Sequence, residues 1–216
     1  MKGVIFDWDG VVIDSSAQHE RSWEMLAEEI GKRIPDGHFQ AGFGKKNQEI
    51  IPHLLCWSND PIEIARLGDR KEEFYRGLVR DQGVRVLPGA RELLTALRES
   101  GIPRSLGSST PRSNLDTLFA ATGLGEFFDA VVCGDDVKNG KPAPDVFLLA
   151  ARKLGLAPAD CIVIEDAHVG IAAAHAAGMK VLAVATTHPL DQLADADAAV
   201  ASLAEITPAR LRQIAG

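Results

Sequence analysis

The sequence predicts a doubly wound parallel α/β sheet with an α-helical segment inserted after its first strand. From residue 88 onward, short apolar runs alternate with stretches of helical spacing, the pattern of a parallel sheet covered on both faces. Cys161-Ile162-Val163-Ile164 is apolar throughout, as strands buried on both faces are. Residues 14–87 break that rhythm with helical spacing.

Taken in order, Val4-Ile5-Phe6 reads as a short buried strand. Gln18 to Ile30 places Trp23, Leu26, Ala27 and Ile30 on one helical stripe. Glu49 to Leu55 and Ile62 to Val79 also carry helical spacing, with no convincing strand between them. Hinges at Asp14–Ser16 and Gly83–Pro88 divide the chain into a core, residues 1–13 and 88–216, and an insertion, residues 14–87. In the core, Leu93, Leu94 and Leu97 mark a helix from Ala90 to Ser100 that Gly101 stops. Arg104–Gly107 reads as a strand, Ser113–Thr122 as a helix ended by Gly123, and Phe128–Val132 as the next strand. A helix from Ala143 to Leu154 precedes the Cys161–Ile164 strand. An Ala-rich helix from Val169 to Ala177, closed by Gly178, precedes a strand at Val181–Val184. Residues 194–201 read as a loop with a short strand.

Composition excludes several classes. In 216 residues, 46% hydrophobic and 25% charged is ordinary for a globular chain, and a formal charge of −7 argues against nonspecific nucleic-acid or anionic-membrane partners. No run is long enough to cross a bilayer, and Met1-Lys2-Gly3 leading straight into a strand is unlike a signal peptide. Cys56, Cys133 and Cys161 lack metal-ligand spacing and read as free thiols in a reducing, cytoplasmic setting.

Four motifs fall at the ends of predicted core strands, where open α/β sheets bind ligands. Asp7 and Asp9 lie two apart after Val4-Ile5-Phe6, so they share a face, and Gly10 lets the backbone turn away. They are either an ordinary Asp-Gly turn or half of an acidic site that needs a cation. Ser108-Ser109-Thr110 precedes a helix and suits an anion or plain capping. Gly140-Lys141-Pro142-Ala143-Pro144-Asp145 holds Lys141 on a stiff loop, over a site or in solvent. Glu165-Asp166 ends the most apolar strand, as oxygen ligands for a hard divalent cation or with Asp166 as a helix cap.

In this order, the motifs Phe6-Asp7-Trp8-Asp9-Gly10-Val11-Val12-Ile13-Asp14-Ser15, Ser108-Ser109-Thr110, Gly140-Lys141-Pro142-Ala143-Pro144-Asp145-Val146-Phe147 and Glu165-Asp166-Ala167-His168-Val169-Gly170-Ile171 resemble those of the haloacid dehalogenase superfamily of phosphohydrolases, across essentially the whole chain. The chain is most similar to its β-phosphoglucomutase-like subgroup, which implies a Rossmann-like core, with residues 14–87 as an α-helical cap. The resemblance implies Asp7 as nucleophile through an aspartyl-phosphate, and Asp9 as general acid and then base. It further implies Mg2+ held by Asp7, the Asp9 backbone carbonyl and Asp166, with Glu165 as an outer or alternate ligand. Lys141, the Ser108 hydroxyl, the Ser109 N–H and N–H groups near Trp8 would cradle the phosphoryl group. The cap loop Gly44-Lys45-Lys46-Asn47-Gln48-Glu49-Ile50 resembles the one that enters the active site in this subgroup. Aligned through Gly44, Asn47 stands where β-phosphoglucomutases carry an arginine that grips a second phosphate, which weakens distal phosphate capture. Lys45 or Lys46 would substitute in another register.

His19 matches a subgroup histidine that gates Asp9, or is plain surface; His168 beside Asp166 is equally ambiguous. The expected activity is hydrolysis of a small phosphorylated metabolite, a sugar phosphate above all, by a monomer. A phosphosugar mutase is the alternative. Asp9 has no use in a dehalogenase. A phosphonate hydrolase would need Lys45 or Lys46 as a Schiff base, and a receiver-like signalling module has no inserted cap and carries its acceptor aspartate on a later strand.

Overall fold

The computed structural model describes residues 1–42 and 45–216. A six-stranded, all-parallel sheet is built from β1 (Gly3–Phe6), β4 (Arg104–Gly107), β5 (Ala130–Val132), β6 (Cys161–Glu165), β7 (Lys180–Val184) and β8 (Ala198–Val200) in the order β5-β4-β1-β6-β7-β8. The chain runs outward from β1 to β4 and β5, then returns to β1's other side and runs outward again through β6, β7 and β8. That reversal opens a crevice at the carboxyl ends of β1 and its neighbours.

Alternation along each strand sends side chains to opposite faces. Val4, Phe6, Ile162, Ile164 and Leu182 join one buried cluster, with Leu93, Leu94 and Leu97 of α5 (Ala90–Glu99). Ile5, Val163, Val181 and Ala183 join the cluster on the other face, with Phe147 of α7 (Asp145–Lys153) and Ile171 of α8 (His168–Ala176). Removing one such fully buried Leu or Ile side chain to Ala costs about 2–5 kcal/mol.

Between β2 (Ile13–Asp14) and β3 (Arg85–Val86) lie α1 (Ser16–Ile30), α2 (His38–Gly42), α3 (Asn47–Glu49), a π-helical turn at Ile50–Leu54, and α4 (Pro61–Gln82). Trp23, Leu26, Ile50, Ile51 and Leu67 form a third buried cluster among these helices. α4 starts cleanly because the Asp60 carboxylate accepts from the Ile62 N–H and Pro61 occupies the first turn. Some details depart from the sequence reading. The hinge segments pair with each other as an antiparallel ribbon, Ile13 with Val86 and Asp14 with Arg85, tied by the Arg85–Asp14 ion pair. The helix read over 49–55 divides into α3 and the π-helical turn, where Pro52 cannot donate an N–H to a regular ladder. α6 (Arg112–Thr122) and α9 (Pro208–Ala215) complete the helices used below, and the sequence reading did not include α9.

Candidate active site

Asp7 continues the β1 ladder one residue past the strand, its N–H donating to the Ile164 carbonyl at 2.9 Å. Trp8 then points into the core, wholly buried, with its ring edge-on to Phe119 at 5.3 Å and to Phe128 at 6.1 Å. An anchored Trp8 turns the residues on either side, Asp7 and Asp9, toward the opposite face. The backbone closes at once: the Val12 and Ile13 N–H groups donate to the Trp8 carbonyl at 2.9 and 3.1 Å. Gly10 sits in this turn at φ 80°, where a Cβ would collide with the Asp166 carboxylate.

The Lys141 ammonium donates to Asp7 Oδ1 and to Glu165 Oε1, both at 2.6 Å. Asp7, Glu165 and Asp166 are buried and bring one oxygen each within 4.8 Å of one another. Burial, with Glu165 and Asp9 nearby, pushes Asp7 up to about 7 despite Lys141. Burial and the neighbouring Glu165 and Asp7 raise Asp166 well above the carboxylate range. Lys141 is also raised, because the two carboxylates outweigh its own desolvation. Three buried carboxylates against one ammonium leave an excess of negative charge, and an all-oxygen donor set of that charge fits a hard divalent cation such as Mg2+. Both Glu165 oxygens are engaged, Oε1 by Lys141 and Oε2 by the Asp166 and Ala167 N–H groups at 2.7 and 2.9 Å. The Asp166 carboxylate accepts from the Thr187 hydroxyl, a contact absent from the sequence reading.

Asp9 is held by two hydroxyls: Ser15 donates to Oδ1, and Thr110 donates to Oδ2 at 2.6 Å. Thr110 is therefore turned toward Asp9, and it lines the cavity together with Ser108 and Ser109. Ser108 continues β4 as Asp7 continues β1, its N–H donating to the Val132 carbonyl at 3.0 Å, and its hydroxyl accepts from the Thr110 N–H at 3.1 Å.

The cavity, about 670 Å3, lies between the carboxyl edge of the sheet and the helical insertion, and is lined by Asp7, Asp9, His19, Asn47, Ser108, Ser109, Lys141, Glu165 and Asp166 among others. Its insertion-side wall carries a polar network that sequence reading missed. Lys71 donates to His19 Nδ1 at 2.7 Å and to Glu72 Oε1 at 3.0 Å. Asn47 donates to the same Glu72 oxygen at 2.7 Å, and Asn114 of α6 donates to Oε2 at 2.6 Å. Despite its burial Glu72 is pulled down to about 2, chiefly by Lys71 and His19. Burial and Lys71 push His19 down to about 4, so the ring is neutral at pH 7. With Nδ1 accepting from Lys71, the proton is assigned to Nε2, which stands 3.9 Å from Asp9 Oδ1. His19 also stacks on Tyr75 at 4.0 Å. The amide of Asn47 is thus engaged within the insertion, while the register read through Gly44 starts outside the described residues. His168 pairs with Asp195 at 3.0 Å on the exposed side of α8 and does not line the cavity.

A parallel sheet with a helical insertion after β1, and with two aspartates, a lysine and hydroxyls at its carboxyl edge, defines a capped hydrolase of the α/β class. The model of the haloacid dehalogenase-like hydrolases matches residues 1–178, and the chain belongs to that family. It is 37% identical over 216 residues to the chloroplastic 5-amino-6-(5-phospho-D-ribitylamino)uracil phosphatase of Arabidopsis thaliana, covering 99% of this chain but only 57% of that relative's length. It is 33% identical over 184 residues to the fructose-1-phosphate phosphatase of Escherichia coli (strain K12), covering 84% of this chain and 95% of the relative. The crystal structure of β-phosphoglucomutase from Clostridium difficile superposes with a TM-score of 0.88 at 26% identity, covering 100% of this chain and 97% of that one. No described helix is long and apolar enough to cross a membrane.

Proposed function

We propose that the chain is a Mg2+-dependent phosphatase that hydrolyses a small phosphorylated metabolite, of the sugar-phosphate class, through a phosphoryl group carried on Asp7. The observation that carries this reading is the meeting of Asp7, Lys141 and Asp9 at one cavity: Lys141 lies 2.6 Å from Asp7, and Asp9 is fixed by Ser15 and Thr110. An Asp7 oxygen attacks phosphorus as the bond to the leaving alcohol breaks, and Asp9 gives that alcohol its proton. Water then attacks the same phosphorus and gives a proton to Asp9, and Asp7 leaves as carboxylate. A carboxylate and a phosphate charge at 4 Å repel by about 4 kcal/mol in a protein-like dielectric. Lys141, beside Asp7, offsets that repulsion, and the Ser108 hydroxyl and Ser109 N–H complete the cradle. Asp7, the Asp9 carbonyl and Asp166 would hold the Mg2+, with Glu165 behind them as an orienting acceptor. When bound, the ion supplies further neutralisation of phosphoryl charge. The free thiols Cys56, Cys133 and Cys161 accord with a reducing, cytoplasmic setting, and we take the working unit to be a monomer.

The second reading is a phosphosugar mutase, favoured by the β-phosphoglucomutase likeness and by His19 standing beside Asp9. Asn47 weighs against it, because an amide bonded to Glu72 lacks the charge and fork of an arginine. One assay separates them: a panel of phosphorylated metabolites with Mg2+, including glucose 1-phosphate with a bisphosphate primer. Phosphate release across several sugars is the expected result; isomerisation without release would replace the phosphatase reading with the mutase one. In the same assay Asp9→Asn lowers kcat/KM for an alkyl phosphate, which reports the steps through departure of the alcohol and not the later attack by water, by roughly 10²–10⁴-fold, the worth of a positioned proton donor. The loss is clearly smaller on p-nitrophenyl phosphate, whose phenolate leaves without a proton. Equal losses on both would remove Asp9 from proton transfer.

A further inference from the structure

The three buried carboxylates of the site are answered unequally. Asp7 faces the Lys141 ammonium, and both Glu165 oxygens are engaged, one by that ammonium and one by two backbone N–H groups. Asp166 has no such cation. Among the described residues its carboxylate accepts from one side chain, the Thr187 hydroxyl, at Oδ2. A hydroxyl holds an oxygen without bringing a charge of its own, so the charge of Asp166 is left for a bound cation to answer.

The sheet brings these two residues together. β6 and β7 are parallel neighbours with Glu165 opposite Ala183, so Asp166 and the residues after β7 leave the sheet at the same edge. Past β7 the Ala185 N–H continues the ladder to the Val200 carbonyl at 2.9 Å, and the Thr186 N–H closes a tight turn on the Val184 carbonyl at 2.9 Å. Thr187 follows that turn. The Asp166 oxygen it holds also lies against Gly10, where a Cβ would come within 1.8 Å. The carboxylate is therefore confined between the turn after β1 and the turn after β7. Asp166 lines the cavity and Thr187 does not, so the hydroxyl acts through the carboxylate rather than on a substrate.

We propose that Thr187 is a positioning residue for the metal site: its hydroxyl holds one Asp166 oxygen so that the other stays turned to the cation. The inference rests on the Mg2+-dependent phosphatase reading and deepens it. Groups that orient a ligating carboxylate from behind are worth about 10–100-fold in metal affinity.

The test is isothermal titration of metal-free protein with Mg2+ alone, without substrate. Thr187→Val keeps the branched shape and loses the hydroxyl, and its Kd for Mg2+ rises about 10–100-fold. Thr187→Ser keeps the hydroxyl and a Kd close to that of the unaltered protein. In phosphate release, Thr187→Val needs correspondingly more Mg2+ to reach half its maximal rate. A metal-free melt shows whether Thr187→Val is folded; if it is not, Thr187→Ala is titrated in its place. An unchanged Kd without the hydroxyl, or a loss in Thr187→Ser as large as in Thr187→Val, overturns the assignment while the metal-dependent reading stands. If the unaltered protein binds no Mg2+ and releases phosphate undiminished after treatment with EDTA, the metal-dependent reading itself fails and the assignment falls with it.

Discussion

Asp7→Asn abolishes turnover, by roughly 10⁴-fold or more, as loss of an essential nucleophile does, while the protein stays folded. The two halves of this expectation have separate causes. Asparagine fills the same volume at the end of β1 but offers a poor nucleophile, and every step proposed here passes through a bond between Asp7 and phosphorus. Stability follows from charge. Burial holds Asp7 up at about 7, well above an unfolded carboxylate, so the folded state favours its neutral form. The stability associated with that proton is full below the unfolded value near pH 4 and is lost as pH rises through about 7. Asparagine is neutral throughout, and Lys141 keeps Glu165 at 2.6 Å as a partner. Without added metal at pH 8, the variant therefore melts no lower than the unaltered protein. Added Mg2+ raises the melting temperature of the unaltered protein more than that of the variant, because one of the buried carboxylates is gone. Thermal melts with and without Mg2+, beside a phosphate-release assay, check both halves. Turnover close to normal in Asp7→Asn would end the proposed mechanism, and a collapsed melting temperature would show that Asp7 also serves the fold.

Much of this site was legible because strand geometry is local. Asp7 and Asp9 share a face by the two-residue period of a strand, and Trp8 between them is an evident core residue. Ser108, Lys141 and Asp166 are adjacent to strand ends or on a proline-stiffened loop, so their placement follows from the order of strands and helices. The opposite wall was not legible, because its contacts depend on how α1 packs against α4. Lys71 meets His19 across 52 positions, and Asn114 meets Glu72 across 42. A Lys-Glu pair on an amphipathic helix reads as a solvated face; only packing shows that Lys71 and Glu72 are buried at 2% and 8% exposure. Ser15 and Thr187 escaped for a related reason: a hydroxyl's partner is chosen by loop closure, which leaves no periodic trace in the sequence. Thr110 shows the limit most plainly. Its motif suggested an anion cradle, and the fold instead aims its hydroxyl at Asp9.

Lys141→Met has the largest expected effect on stability and a large one on rate. The ammonium is the partner of two buried carboxylates, Asp7 and Glu165, whose side chains are 11% and 2% exposed. Methionine keeps most of the stem against the Phe147 ring, which the ammonium faces at 4.7 Å, so lost packing contributes little. What remains is uncompensated charge, and removing one partner of a buried ionic group costs about 3–5 kcal/mol. For a chain of this size that lowers the melting temperature by very roughly 6–20 °C in the absence of metal. A second substitution separates charge from packing. Glu165→Gln in the Lys141→Met background removes one unpaired charge and keeps an oxygen toward the Asp166 and Ala167 N–H groups that Glu165 now caps. The double variant melts higher than Lys141→Met alone, a positive coupling that independent sites would not show. It does not regain activity, because in the proposed mechanism Lys141 is also the cation beside the transferring phosphoryl group, a role worth about 10²–10³ in kcat for a single such donor. A melting temperature for Lys141→Met equal to that of the unaltered protein, or recovery of turnover in the double variant, would mean that Lys141 is a spectator at the edge of the site. The pairing of one lysine with two acids at 2.6 Å each makes the opposite the expected result.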